Sequence, residues 1–100
     1  MAKKRNSFAV LGLGAFGSTV ALELARFGNR VIGIDLDERR VAQVSPQLHS
    51  GIILNGTDEM ALREAGIDQY DVALVAIGRE VEASILTVMN LKMLGVSAIW

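Results

Sequence analysis

Cysteine is absent from this 100-residue chain, histidine and proline occur once each, and five residues are aromatic. Without cysteine there is no disulfide framework, and His49 alone cannot assemble a zinc-type ligand set. The lack of thiols fits a reducing compartment. No apolar run approaches the roughly 20 residues of a membrane span. Yet 51% of the residues are hydrophobic and the mean hydropathy is +0.37, so the apolar excess is expected in a core or a protein interface. The formal net charge of −1 gives no basis for electrostatic capture of nucleic acid. The basic Lys3-Lys4-Arg5 cluster reads as a solvated tail, or as a segment lying near anionic lipid. Met1 to Asn6 is too short and too polar for a secretion signal, so a cytoplasmic location is expected. The length allows one domain, residues 1–100, burying roughly two-thirds of its unfolded surface.

What is present is patterned. The run Phe8-Ala-Val-Leu-Gly-Leu-Gly-Ala-Phe-Gly17 reads as strand, glycine turn and helix start, the layout of a dinucleotide cradle. Gly12 permits the tight turn, Gly14 lets backbone approach a pyrophosphate, and Gly17 lets the helix pack closely. The phosphates are expected on the unpaired N–H groups at the helix N-terminus. The next strand, Val31-Ile-Gly-Ile-Asp35, ends in a carboxylate 18 residues beyond Gly17, near the roughly 20 expected for the acid that binds ribose hydroxyls. A 2′-phosphate would meet that negative charge, which argues against NADP. Asp37 reads equally well as a helix N-cap and as a ligand contact.

Strand-like and helix-like periodicities alternate along the whole chain. Strands are predicted at Ser7–Leu11, Val31–Ile34, Gly51–Leu54 and Val72–Ile77, with a fifth beginning at Ala98. Helices are predicted at Phe16–Phe27, Glu38–Val44, Glu59–Ala65 and Val81–Leu94, stopped by Gly28-Asn29, Pro46, Gly66 and Gly95 respectively. This order implies an α/β fold: a Rossmann-like, doubly wound parallel sheet of strand order 3-2-1-4-5, ending before a sixth strand. The chain therefore reads as a piece of a longer protein. The fourth helix is apolar around most of its circumference, through Ile85, Leu86, Val88, Met89, Leu91, Met93 and Leu94. It reads as a deeply covered core helix or, preferably, as a self-association surface.

Over essentially all its residues the chain resembles the nucleotide-binding N-terminal lobe of the RCK/KTN (TrkA-N) family, in particular the Ktr-type regulatory subunit. The resemblance rests on the glycine run, on Val31-Ile-Gly-Ile-Asp-Leu-Asp37 and on Asn55-Gly-Thr-Asp58 before a helix closed by Ala65-Gly66-Ile67. It continues through Asp71-Val-Ala-Leu-Val-Ala-Ile-Gly78, Glu82-Ala-Ser84 and Ile99-Trp100. It implies a bound adenine nucleotide (ATP or ADP) or NAD(H), with Gly12, Leu13, Gly14, Ala15, Phe16 and Gly17 holding phosphates. Asp35 would take the ribose, and Leu36 and Asp37 would border the nucleoside. Asn55 and Gly56, with Thr57 beside them, would line the adenine pocket; alone, Asn55-Gly56 is only a turn dipeptide. Ile77, Gly78 and Arg79 would close the crevice, although Arg79 also fits an ordinary surface cation. Partners implied are other copies of the chain, as a dimer and in the full-length protein an octameric ring, and a membrane potassium transporter at the inner face of the cell membrane. Many Ktr-type members carry arginine where this chain has Ala15, which cannot make charge-assisted bonds to a phosphate.

The competing reading is the NAD-binding half of a dehydrogenase. Hydride transfer usually needs an aligned proton donor or acceptor. His49 falls in a polar loop, Tyr70 reads as a packing residue, and Ser84 and Thr87 lie on a helix with no base at a useful spacing. The preferred reading is a sensing domain without chemistry or a potassium site of its own.

Overall fold

In a computed structural model, which describes residues 6–78 and 80–100, nine regular elements alternate. They are β1 (Ser7–Leu11), α1 (Ala15–Arg26), β2 (Arg30–Asp35), α2 (Glu38–Val44), β3 (Ser50–Ile53), α3 (Glu59–Glu64), β4 (Val72–Val75), α4 (Val81–Leu94) and β5 (Ala98–Ile99). Single 3₁₀ turns follow α2 and α3, at Ser45–Gln47 and Ile67–Gln69. The five strands pair in parallel in the order β3-β2-β1-β4-β5, the predicted doubly wound arrangement.

Alternation along each strand distributes the core. Phe8 and Val10 of β1 and Val31 of β2 pack with Leu13, Ala21, Val41 and Val44 on the side covered by α1 and α2. Ala9, Leu11, Ile32 and Ile34 point the other way, onto Leu62, Ile67 and Leu91 beside α3 and α4. Both faces of the central strands are thus dry, which is why β1 and β2 read as continuous apolar runs rather than as alternation. β4 follows this less closely: only Ala73 is buried, while Val72, Leu74 and Val75 are half-buried. Its pairing ends at Val75, two residues before the predicted end, as Ile77 and Gly78 leave the sheet.

Helix ends follow their local chemistry. Asp37 and Asp58 cap α2 and α3 by accepting from the backbone N–H groups of Arg39 and Ala61. Gly28 and Gly95 adopt φ of 90° and 85° just after α1 and α4, a left-handed geometry disfavoured for other residues. Pro46 does not stop the chain from turning; it sits inside the 3₁₀ turn that prolongs α2.

Register brings Leu11, Ile34 and Val75 level at the carboxyl edge of β1, β2 and β4. Loops leave the sheet there in opposite directions, opening a crevice above the edge.

Leu91, fully buried on α4, joins that helix to the sheet. Leu91→Ala should lower unfolding stability by about 2–5 kcal/mol, read from urea midpoints. A loss below about 1 kcal/mol would show that α4 is not anchored through this side chain.

Candidate functional site

A cleft of about 560 Å³ lies above the carboxyl ends of the central strands, within the usual range of roughly 300–1,000 Å³ for small-molecule sites. Its floor is backbone. Gly12 N–H donates to the Ile34 carbonyl at 2.8 Å and Ala76 N–H to the Leu11 carbonyl at 2.7 Å, drawing β2, β1 and β4 together beneath the glycine turn. Gly12 has φ of 105°, and a Cβ there would lie 2.3 Å from the Ala76 oxygen. A Cβ on Gly17 would lie 1.8 Å from the Gly12 oxygen. Gly17 therefore seats α1 on the turn itself more than on the sheet. Gly14 differs: the nearest atom to its missing Cβ is Arg40 Nη1 at 3.9 Å, so a side chain there would occupy the cleft instead of clashing with protein.

Gly14 is the N-cap of α1, and no side chain caps that helix or places an acid in its first turn. Its leading N–H groups therefore face the cleft without a competing carboxylate, a geometry suited to an anion.

Asp35 closes the second side. Its side chain is 11% exposed. Oδ2 accepts from Leu13 N–H at 2.7 Å and Oδ1 from Asp37 N–H at 2.8 Å. Each carboxylate oxygen retains capacity for a further donor.

Most of the predicted residues meet here. Gly12, Gly14, Ala15, Phe16 and Gly17 line one wall, Asp35 and Leu36 a second, and Asn55, Gly56 and Thr57 a third. Ile77 and Gly78 edge the opening. Two lie elsewhere. The Leu13 side chain is 3% exposed and packs over Gly33 in the core, so only its N–H takes part, through Asp35. Asp37 points its carboxylate at the start of α2 and does not line the cleft. Arg79 lies outside the described residues. His49 is exposed just before β3, and Tyr70 is half-buried against the core with the Arg30 guanidinium 5.9 Å from its ring centre.

The family model described as the TrkA-N domain matches residues 8–100. This chain belongs to the TrkA-N family. It is 40% identical over 93 residues to Ktr system potassium uptake protein A of Vibrio alginolyticus, covering 93% of this chain and 42% of that relative. The chain thus spans less than half the length of that relative. Among solved structures it is similar to the NAD(P)-binding domain of an exopolyphosphatase-related protein from Archaeoglobus fulgidus. That match has a TM-score of 0.81 at 22% identity, over 95% of this chain and 72% of that one. A Kef CTD from Shewanella denitrificans, in its AMP-bound form, matches with a TM-score of 0.77 at 19% identity, over 94% of this chain and 57% of that one. At these identities the structural matches speak to fold.

The lining residues of this TrkA-N domain that a motif-based reading does not single out include Arg40 of α2, Glu80 just ahead of α4, and Ala83 and Thr87 of α4. Arg40 lies in the first turn of α2, whose placement brings it beside the glycine loop. Thr87 is hidden by the apolar composition of α4 on every side. It is fully buried, and its Oγ1 is the only buried side-chain polar atom without a hydrogen-bond partner among the described residues. A Cβ on Gly56 would lie 2.9 Å from that oxygen, so the Asn55–Gly56 loop rests directly on α4. Asn90, one turn further on, donates from Nδ2 to the Gly56 carbonyl at 3.2 Å. Within the loop, Asn55 Oδ1 accepts from Thr57 N–H at 3.0 Å and from its hydroxyl at 2.8 Å. The turn role of Asn55 is therefore real, and it occupies the amide oxygen.

An unpartnered buried hydroxyl costs about 1–3 kcal/mol. Thr87→Val, similar in volume, should leave the unfolding stability unchanged or raise it by up to about 1 kcal/mol, read from urea midpoints. A clear loss of stability would mean that the hydroxyl is already bonded, for instance to a buried water.

Proposed function

We propose that this TrkA-N domain is the nucleotide-sensing lobe of a Ktr-type regulatory subunit of a bacterial potassium uptake system. The observation that carries this reading is the joining, in one cleft, of an uncapped helix N-terminus and a largely shielded carboxylate at the end of β2. The 40% identity to a Ktr potassium uptake protein across 93 residues supports it. The ligand is an adenine nucleotide or NAD(H). The N–H groups at the head of α1 hold its phosphates, Asp35 accepts from its ribose hydroxyls, and the Asn55–Thr57 loop with Ile77 and Gly78 receives the base. Leu36, which is exposed beside Asp35, covers the nucleoside.

The domain works by unequal affinity for two arrangements of an oligomer, since a ligand bound equally in both shifts nothing. Copies associate through the outer face of α4, where Ile85, Leu86, Met89 and Met93 are exposed. The full-length protein forms a ring on the cytoplasmic side of the membrane and passes the change to a potassium-transporting partner. The transported ion is handled by that partner. Among the described residues no helix is long and apolar enough to cross a membrane.

Asp35 is a poor mutational probe of the ribose contact, because Asp35→Ala also releases the Leu13 and Asp37 N–H groups. Deleting the hydroxyl from the ligand is cleaner. Thermal unfolding against ATP, ADP, NAD, NADH, NADP and 2′-deoxy-ADP reads the whole proposal. A ligand at about 100 times its dissociation constant adds roughly 2.7 kcal/mol, a shift on the order of 10 °C or more for this size. ATP, ADP and NAD(H) should all stabilise, with 2′-deoxy-ADP binding several-fold more weakly than ADP. Stabilisation by NAD(H) alone would favour the cofactor half of a dehydrogenase, and no shift with any of them would reject the site.

The oligomer claim is read by light scattering. At least a dimer is expected, weakened in Leu86→Glu, and a strict monomer at high concentration would remove the role of α4.

A further inference from the structure

The cleft is poor in positive charge. Among its described lining residues Asp35 and Glu80 are acidic and Arg40 is the only cation. Ala15, at the head of α1, contributes only a methyl group. The α1 N-terminus supplies about half an elementary charge, less than one phosphate group carries. Backbone N–H groups can seat a phosphate there, and a side-chain cation would add to their hold; position decides which residue can serve.

Arg40 is half-exposed on α2. Its Nη1 is 3.8 Å from Asp35 Oδ2 and its Nε is 4.0 Å from Asp37 Oδ2. Charge-assisted N–H···O bonds measure about 2.7–2.9 Å. The two acids therefore draw the guanidinium over the cleft while neither takes a hydrogen bond from it, and its planar fork of donors stays available. The same Nη1 stands 3.9 Å from the point that a Cβ on Gly14 would occupy. That point is the space where a phosphate oxygen would settle against the loop backbone.

We propose that Arg40 is the phosphate-binding cation of this cleft, and that it makes the site select nucleotides over nucleosides. The inference rests on reading the cleft as an adenine-nucleotide site. A simpler role for Arg40, as a surface ion pair steadying Asp35, makes a different prediction. An ion pair acting through Asp35 affects the ribose contact, and so adenosine and ADP alike. A phosphate contact affects ADP and spares adenosine.

The chain, Arg40→Met and Arg40→Lys are titrated with adenosine and ADP by NMR, which reads affinities into the millimolar range. Because Arg40 is exposed, unliganded Arg40→Met should melt with the parent chain. Its ADP affinity should fall roughly tenfold or more, the range for a hydrogen bond to a charged group. Adenosine affinity should stay within about twofold, and Arg40→Lys should recover part of the ADP loss. Added salt should weaken ADP binding to the parent chain more than to Arg40→Met. Unchanged ADP affinity in Arg40→Met, or an equal loss for adenosine, overturns the inference while leaving the nucleotide site standing. If the parent chain binds neither ligand, the site reading itself fails, and Arg40 with it.

Discussion

Backbone rests on backbone where α1 meets the glycine turn, and the rest of the site depends on that contact. A single methyl group at Gly17 would overlap the Gly12 carbonyl, and one at Gly12 would overlap that of Ala76. Neither obstacle is the end of a flexible side chain that could swing aside. Because β1, the turn, α1 and the exit of β4 meet without side chains between them, the head of α1 is fixed relative to the sheet edge. Its N–H groups therefore point to a defined place, which is the condition for binding an anion with directional donors instead of diffuse charge.

The carboxylate of Asp35 extends this order sideways. With one oxygen on the Leu13 N–H and the other on the Asp37 N–H, it ties the glycine loop to the entrance of α2. The same group is the ribose acceptor of the proposed site. In that proposal structure and recognition share these two oxygens, and a geometry already set by two backbone donors presents the remaining lone pairs without further ordering.

Much of this was legible in the residues. The strand order, the helices and the glycine turn follow from periodicity and from Gly and Pro positions, because both faces of β1 and β2 are covered and their side chains must be apolar throughout. Asp37 could be read two ways, and its side chain is spent on a helix cap. Leu13 reads with the phosphate loop because of its neighbours, but the turn at Gly12 leaves its side chain in the core on the α1 side. Arg40 and Thr87 were not legible as site residues. Arg40 reaches the cleft only through the relative placement of α2 and the loop, a tertiary fact. Thr87 sits on a helix whose apolar residues surround it and mask any preferred face.

α4 is a single layer of protein between the base-side loop and the outside. Its inner face carries Thr87, against Gly56, and Asn90, bonded to the Gly56 carbonyl, while Ile85, Leu86 and Met89 face outward from the same two turns. Side chains on one short stretch of helix thus serve two surfaces. A substitution that tilts or rotates the helix to suit a new neighbour outside also moves the floor under the loop. The two surfaces cannot drift independently, so changes in what this helix touches and in what the cleft accepts should arise together.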